Sequence, residues 1–583
     1  MVKDPRSELT SGGPETVPVA GAGAVALDRS FFGHPRGLQV LFFTEMWERF
    51  SYYGMRALLI LFMTAAVAGA NPGLGFDAGR AGAIYGLYTS MVYLLALPGG
   101  WVADNLWGQR KSVFVGGCII ALGHFTLAGP LIGLPDTITF YLGLLFIVIG
   151  TGLLKPNVST MVGEFYPRPE SQAAAAAAEW GARRDAAFSI FYMGINLGAV
   201  LGPFVCGTLG ERVNWHWGFS AAGFGMVLGL IQYRLGDRHL GEAGRLATGE
   251  TAEVVRRRAT RFYLIAGAVA AVATLFVVLA TTGVFALGLE TFATWLGYGI
   301  LLLTILFFAW LIFDVKWAAA LLALFLVLSA VLAPQAGNAT LGGQWAIVAT
   351  LGLFIALNLG LLAARRKEVS IDRKRLMVIF WLFLLAAVFW SGFEQAGSSM
   401  NLFARDLTDR NIGGWEMPAT WLQNVNPFFI IVLAPVFGWL WTWLASRRTN
   451  PSTPVKFALG VLGLAAGFFV LAWGAAQATD VARVSMAWLI VTYFLHTCGE
   501  LALSPVGLSS MTKLAPAGRV GQMMGVWFIA TALGNLFAGL VAGRLEILPP
   551  QQLFWSVALF TGGAGLVALV ASPAVKRLMA GVQ

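Results

Sequence analysis

The chain has 583 residues, of which 57% are hydrophobic and 12% charged. A soluble domain carries about 25% charged residues, so a water-soluble multidomain enzyme, a disordered chain and a collagen are excluded. Only three Cys occur (Cys118, Cys206 and Cys498), each in an apolar stretch, which excludes a disulfide scaffold and makes them packing residues. The 70 Gly and 21 Trp suit a polytopic membrane protein, in which Gly lets helices approach and Trp sits at the interfaces. A net charge of +10 would suggest a nucleic-acid partner for a soluble protein, so the placement of the charges has to decide.

Residues 1–34 read as a disordered cytoplasmic tail: Gly, Pro, Ser and Ala dominate, and no apolar core follows a basic start as in a signal peptide. Apolar runs long enough to cross a bilayer as helices then recur to the end. Six lie at 38–67, 80–102, 112–130, 137–163, 186–208 and 216–234, within a bundle over 35–235. Between the fourth and fifth, loop 164–185 carries an Ala run and reads as a cytoplasmic helical linker. Residues 236–370 hold a basic loop and apolar runs at 260–282, 292–313, 316–333 and 345–363, an insert of two or four helices. A second six follow at 375–402, 419–446, 455–476, 483–511, 520–544 and 552–573, within a bundle over 371–575, and 576–583 form a cytoplasmic tail. The expected fold is an all-α polytopic membrane protein of two six-helix bundles with inserted helices between them.

Orientation follows from the basic loops. With residue 1 inside, the inner loops hold Arg110, Lys111, Arg183, Arg184, Arg256 to Arg258, Arg365 to Lys367, Arg373 to Arg375, Arg447, Arg448, Lys576 and Arg577. The outer loops hold mostly isolated Arg, such as Arg80, Arg212 and Arg483. Both termini are therefore expected in the cytoplasm, and the surplus of positive charge is explained without nucleic acid. An even number of inserted helices preserves this parity. The basic loop 234–261 solvates the inner face, with anionic lipid as a second partner.

Ionisable groups inside a span cost about 2.5 kcal/mol or more each and persist when paired or when they line a wet cavity. In the first span Glu45, Glu48, Arg49, Tyr52 and Arg56 fall on one stripe at about 100° per residue. The stripe reads either as an ion-pair seam between helices or as the polar wall of a substrate or proton pathway. Lys155 precedes Pro156, which is expected to break the helix locally, and Glu45 and Glu48 are its obvious partners. Glu394 and Glu500 have no basic neighbour on their own helices, which implies a cavity lined by several spans. Trp390, Glu394, Ser398 and Asn401 share a face, and Tyr93, Asn196, Gln423 and Asn426 add uncharged polar groups that could equally serve helix packing. Asp104, near Arg110 and Lys111 in a short inner loop, suggests a conformational latch. No phosphate-binding GxxxxGK[ST] loop occurs, and the five His show no metal spacing, so no cofactor or metal and no enzymatic activity is expected.

The segments EMWERFSYYGMRALL, FYMGINLGA, FWSGFEQAGSSMNLFA and GELALSPVGLSSMTKLAP resemble the proton-dependent oligopeptide transporter family, a branch of the major facilitator superfamily. The likeness runs over nearly all of 38–573. It implies that Glu45, Glu48 and Arg49 form a proton-coupling ExxER motif with Lys155 as its salt-bridge partner. It implies that Arg49, Lys155 and Arg56 receive a peptide carboxylate and that Glu500, with Asn196 and Asn426, holds the amino group. Glu394 would pair with Arg56 and titrate. Tyr52, Tyr53, Tyr93, Trp390 and Trp527 would line side-chain pockets, with Asp104 and Arg110 as gating residues. Some members carry a proton-linked His seven residues before the residue matched by Tyr93; Gly86 stands there, so the carboxylates must carry coupling. The resemblance implies a monomeric proton-coupled importer of di- and tripeptides in a bacterial inner membrane. Alternatives are a transporter of another anion or metabolite such as nitrate, or a non-transporting receptor.

Overall fold

The computed structural model describes residues 29–166, 174–246, 251–281, 288–312, 370–479, 482–516 and 518–581. The first bundle comprises α1 (Arg36–Thr64), α2 (Ala78–Leu94), α3 (Gln109–Leu127), α4 (Asp136–Glu164), α5 (Ala174–Gly202) and α6 (Trp215–Gly236). In the insert, α7 (Ala252–Thr281) and α8 (Leu289–Ile312) are described. The second bundle comprises α9 (Ile371–Phe393), α10 (Val425–Ser446), α11 (Thr453–Ala475), α12 (Ala487–Leu514), α13 (Val520–Gly543) and α14 (Pro550–Leu578). Each of the twelve apolar runs assigned to a bundle coincides with one of these helices. The tail before residue 29 and the runs at 316–333 and 345–363 lie outside the described residues. Ten described helical segments are long and apolar enough to cross a bilayer; α1, with five charged side chains, is not among them.

Prolines and irregular turns shape several of the spans. Helix α4 is continuous through Pro156, contrary to the expected break. Proline removes one N–H and leaves the carbonyl four residues back, on Gly152, without its helical donor. That carbonyl is covered by Gly99, where no side chain intervenes. Span five continues past α5 through a π-turn at Pro203–Gly207 into Thr208–Arg212, a wide turn that tolerates Pro203. Span seven is two pieces: α9 ends at Phe393, a 3-10 turn runs over Glu394–Gly397, and a short helix resumes at Ser399–Asp406.

Within the first bundle α1 packs on α5 and α6, and α3 on α4 and α6; within the second α11 packs on α12 and α14, and α9 on α13. Among the described long helices, two crossings join the bundles: α2 on α13 and α5 on α10. Each places the second helix of one half on the fifth of the other, so the two are equivalent when the halves are exchanged, as in a repeat about an axis along the membrane normal. Glycines set the α2–α13 approach. A Cβ at Gly82 would meet the backbone of Gly539 and Gly543, and one at Gly86 would lie 2.7 Å from the Leu536 carbonyl oxygen. This gives Gly86 a steric reason: a histidine does not fit there.

The bundles also meet at the end opposite the basic loops. Glu211 binds the start of the eighth span, Arg405 Nη1 donates to Thr64 Oγ1 at 2.7 Å, and Gly79 N donates to Glu546 Oε2 at 3.2 Å. The insert reaches the same seam, since α8 packs on α2, α9 and α13 and Glu290 lies 3.8 Å from Arg544. At the other end α7 is fastened to the turn after α2, with Trp107 Nε1 donating to Tyr263 OH at 3.0 Å.

Candidate functional site

Helix α1 holds Glu45, Glu48, Arg49, Tyr52 and Arg56 in the interior; all five are buried. Their spacing puts Arg49 one turn from Glu45 and next to Glu48, and its Nε lies 2.7 Å from Glu45 Oε1 and 3.0 Å from Glu48 Oε2. One guanidinium thus serves both carboxylates. Among the described residues Glu45 Oε2 and both Glu48 oxygens accept no hydrogen bond.

Because Arg49 has taken both acids, the expected salt bridge from Lys155 to Glu45 or Glu48 is not formed. The Lys155 ammonium lies 3.7 Å from the centroid of the Tyr93 ring and 5.8 Å from that of Tyr52, and has no hydrogen-bond acceptor among the described residues. An aromatic face attracts a cation but leaves its N–H donors unspent. Lys155 remains within electrostatic reach of Glu45, Glu48, Arg49 and Glu394.

Arg56 crosses between the bundles. Its Nη2 lies 2.5 Å from Glu394 Oε2, and its Nε donates to Tyr85 OH at 2.6 Å. Glu394 can reach it because the chain leaves the α-helical path at that residue. Gly397, in the same turn, faces the Tyr85 hydroxyl, and a Cβ there would lie 3.0 Å from Arg56 Nε. The break also redirects Asn401, whose Nδ2 donates to the Ala57 carbonyl of α1 at 2.8 Å instead of sharing a face with Glu394.

On the second bundle Asn426 Nδ2 donates to Glu500 Oε2 at 3.1 Å and to Thr497 Oγ1 at 2.9 Å. Asn426, and not its neighbour Gln423, makes this contact; Gln423 Nε2 has no partner among the described residues. Tyr53 connects the two sides, lying within electrostatic reach of Arg49, Arg56, Glu394 and Glu500. Four carboxylates and three cations from both bundles therefore gather, alongside Tyr52, Tyr53 and Tyr93, in one region between the bundles, the chamber. Asn196 donates to the Tyr192 carbonyl at 2.9 Å. Trp390 packs edge-on to Phe389 and Phe393.

Other expected residues stand apart. Trp527 is packed against Gly507 in the second bundle. Asp104 and Arg110 do not pair. Gly108, at φ 77°, turns the chain so that Asp104 accepts from Gln109 Nε2 at 2.8 Å. Arg110 instead donates to the carbonyls of Gly241 and Ala243 at 2.6 and 3.2 Å and lies 3.6 Å from Asp237. Three residues of the chamber were not anticipated. Tyr85 follows from its position eight residues before Tyr93, about 80° away on the helix. Tyr192, one turn before Asn196, lies within reach of Tyr53 and Glu500. Thr497 is one turn less a residue from Glu500. Tyrosine and threonine cost little in a span, so neither type is conspicuous in the sequence.

Comparison with known proteins supplies the context for this geometry. The model of the POT family matches residues 110–255 and 343–551. The chain is 39% identical over 567 residues to the peptide transporter YePEPT of Yersinia enterocolitica, covering 95% of this chain and 97% of that protein. It is 32% identical over 563 residues to a di-/tripeptide transporter of Lactococcus lactis subsp. cremoris, covering 95% and 99%. It superposes on the crystal structure of a POT peptide transporter in complex with sulfate with a TM-score of 0.75 at 34% identity, over 96% of this chain and 99% of that one. The chain is a multi-pass membrane protein that belongs to the POT family of transporters.

Proposed function

We propose that this chain is a proton-coupled symporter that imports di- and tripeptides by alternating access. The observation that carries the reading is the separation of charge across the chamber: the uncommitted Lys155 ammonium on the first bundle and the Asn426-supported Glu500 carboxylate on the second. A short peptide is a zwitterion, with a carboxylate at one end and an ammonium at the other. Its carboxylate binds Lys155, with Arg49 and Arg56 adding positive field, and its ammonium binds Glu500. Bridging two bundles at their midplane favours their closure. Contacts to the two termini leave the side chains to Tyr52, Tyr53, Tyr93, Asn196 and Trp390, so selectivity is broad. Nitrate has no ammonium for Glu500, which disfavours that substrate. The names of the Yersinia and Lactococcus relatives point the same way.

Protons enter through the carboxylates. When the peptide carboxylate competes for Arg49 and Lys155, Glu45 or Glu48 loses part of its counter-charge and takes up a proton. Protonation of Glu394 releases Arg56 and with it a bond between the bundles. Residues 35–235 and 371–575 act as the two moving bodies, with the insert between them, in a monomer. The protein resides in a bacterial inner membrane with both termini cytoplasmic. In that orientation the sealed end is the outer one. Uptake of a labelled dipeptide into liposomes, with and without an inward proton gradient, tests the proposal. Gradient-driven accumulation is expected; nitrate uptake without dipeptide uptake would overturn it.

A further inference from the structure

The carboxylate of Glu211 joins the two bundles with both of its oxygens. It lies in the short helix Thr208–Arg212 that follows α5 in the first bundle, yet its hydrogen bonds run to the second bundle. Glu211 Oε2 accepts from the Ala419 backbone N–H at 2.8 Å, and Oε1 accepts from the Thr420 N–H at 2.9 Å and from Thr420 Oγ1 at 2.7 Å. Ala419 and Thr420 open the 3-10 turn Ala419–Asn424, which leads without interruption into α10. The first N–H groups of a helical segment have no partner within it, and a carboxylate there acts as a cap that also meets the positive end of the peptide dipoles. No side chain of its own segment caps this turn, since the residue before it is Pro418. Glu211 therefore supplies, from the other bundle, the cap the segment lacks.

The surrounding contacts fix the register of the crossing. Trp421 Nε1 donates to Thr208 Oγ1 at 2.9 Å, and the Trp421 ring stands edge-on to Phe204 at 4.7 Å between centroids. Gly207 faces the Thr420 side chain where a Cβ would clash. Arg212, next to Glu211, places its guanidinium 5.7 Å from the centroid of the Trp415 ring. The segment held in this way reaches Asn426 six residues after Thr420, and Asn426 donates to Glu500.

We infer that Glu211 is a positioning residue: by capping the start of the eighth span only when the outer end is closed, it orders the segment that presents Asn426 to Glu500. Closure of the outer mouth and completion of the amino-end site are then one event. When the bundles separate at that end, the three donors lose their acceptor, the first turn loosens, and Asn426 is no longer held against Glu500. A substrate arriving from outside meets an unfinished site, and the site is finished as the mouth shuts. The part of this inference that concerns affinity rests on the peptide reading above; the part that concerns the mouth does not.

The test uses Glu211→Gln, which keeps the shape and one acceptor oxygen but removes the charge. Spin labels at Val213→Cys and Ile412→Cys, two exposed positions on opposite bundles of the outer rim, report the mouth, in a background with Cys118→Ser. With Glu211 intact the inter-label distances form one short population. Glu211→Gln is expected to raise the proportion of long distances about tenfold and to weaken dipeptide binding about fivefold or more, with proton-driven uptake showing a raised KM. Thr420→Val removes only one of the three donors and is expected to give the same two changes at smaller size. It also serves if Glu211→Gln does not fold. An unchanged distance distribution, or a widened one with unchanged dipeptide affinity, would overturn the inference. If the unmutated protein binds no dipeptide, the peptide reading fails, and the distance measurement alone decides on Glu211: no widening refutes its hold on the mouth.

Discussion

Two buried cations of the chamber differ in what depends on them. Among the described residues Arg49 is the only guanidinium paired with Glu45 and Glu48, so Arg49→Gln leaves two carboxylates uncompensated. Breaking a buried pair from one side costs about 3–5 kcal/mol, and a fall in yield and melting temperature is expected. Lys155 has no ion-pair partner among the described residues, and its charge is held against an aromatic face. Removing a desolvated, unpaired charge releases free energy. Lys155→Gln is therefore expected to melt at the same temperature or higher while proton-driven dipeptide uptake is abolished. A purified Lys155→Gln protein that accumulates dipeptide normally would refute its role. Gly397 makes a subtler demand. A methyl there presses on the Tyr85 hydroxyl and on Arg56, which must move off Glu394. Overpacking of this kind costs about 1–3 kcal/mol, so Gly397→Ala is expected to slow uptake about tenfold with the fold intact, measured as initial rate at saturating dipeptide.

The α2–α13 crossing shows the same dependence at the level of the element. Gly82 and Gly86 on one helix face Gly539 and Gly543 on the other, each pair four residues apart, and backbones meet backbones. Small residues at this spacing let helices approach in a bilayer. A leucine at Gly539 would have to displace the α2 backbone, so Gly539→Leu is expected to hold the outer end open and to abolish uptake, read as labelling of an outer-rim cysteine by an impermeant thiol reagent from outside. Unchanged labelling would show that the crossing has slack. These elements also mark what the sequence could and could not disclose. Helices were legible because about twenty apolar residues in a row have no other stable form in lipid. Glu394, Arg56 and Glu500 were legible because charge in a span needs a reason. That Lys155 has no ion-pair partner among the described residues was not, because on α1 the local geometry of Arg49 with Glu45 and Glu48 competes with any longer reach. The break in span seven was not, because the groups that crowd Gly397 there, Tyr85 and Arg56, come from two other helices. Glu211 was not, because an acid at a helix end is ordinary until its donors are seen to belong to the other bundle.

Across the whole molecule the chamber has a charge imbalance with a consequence for energetics. Glu45, Glu48, Glu394 and Glu500 outnumber Arg49, Arg56 and Lys155 by one. A zwitterionic peptide adds no net charge, so one proton makes the loaded chamber neutral. A neutral load crosses without resistance from the membrane potential. The empty chamber then returns with one negative charge, and an inside-negative potential pushes that charge outward. The cycle as a whole moves one positive charge inward, and the potential acts on the return step. One elementary charge across 100 mV is worth about 2.3 kcal/mol, which corresponds to an accumulation of about 50-fold. In liposomes with equal pH on both sides, an inside-negative potassium diffusion potential is therefore expected to concentrate a neutral dipeptide up to that limit. A dipeptide carrying an extra positive side chain adds its own charge to the loaded step, so its accumulation should depend more steeply on the potential. Accumulation that ignores the potential for both substrates would mean that the surplus carboxylate is neutralised throughout the cycle, and that coupling to protons runs through exchange between the acids instead of net uptake.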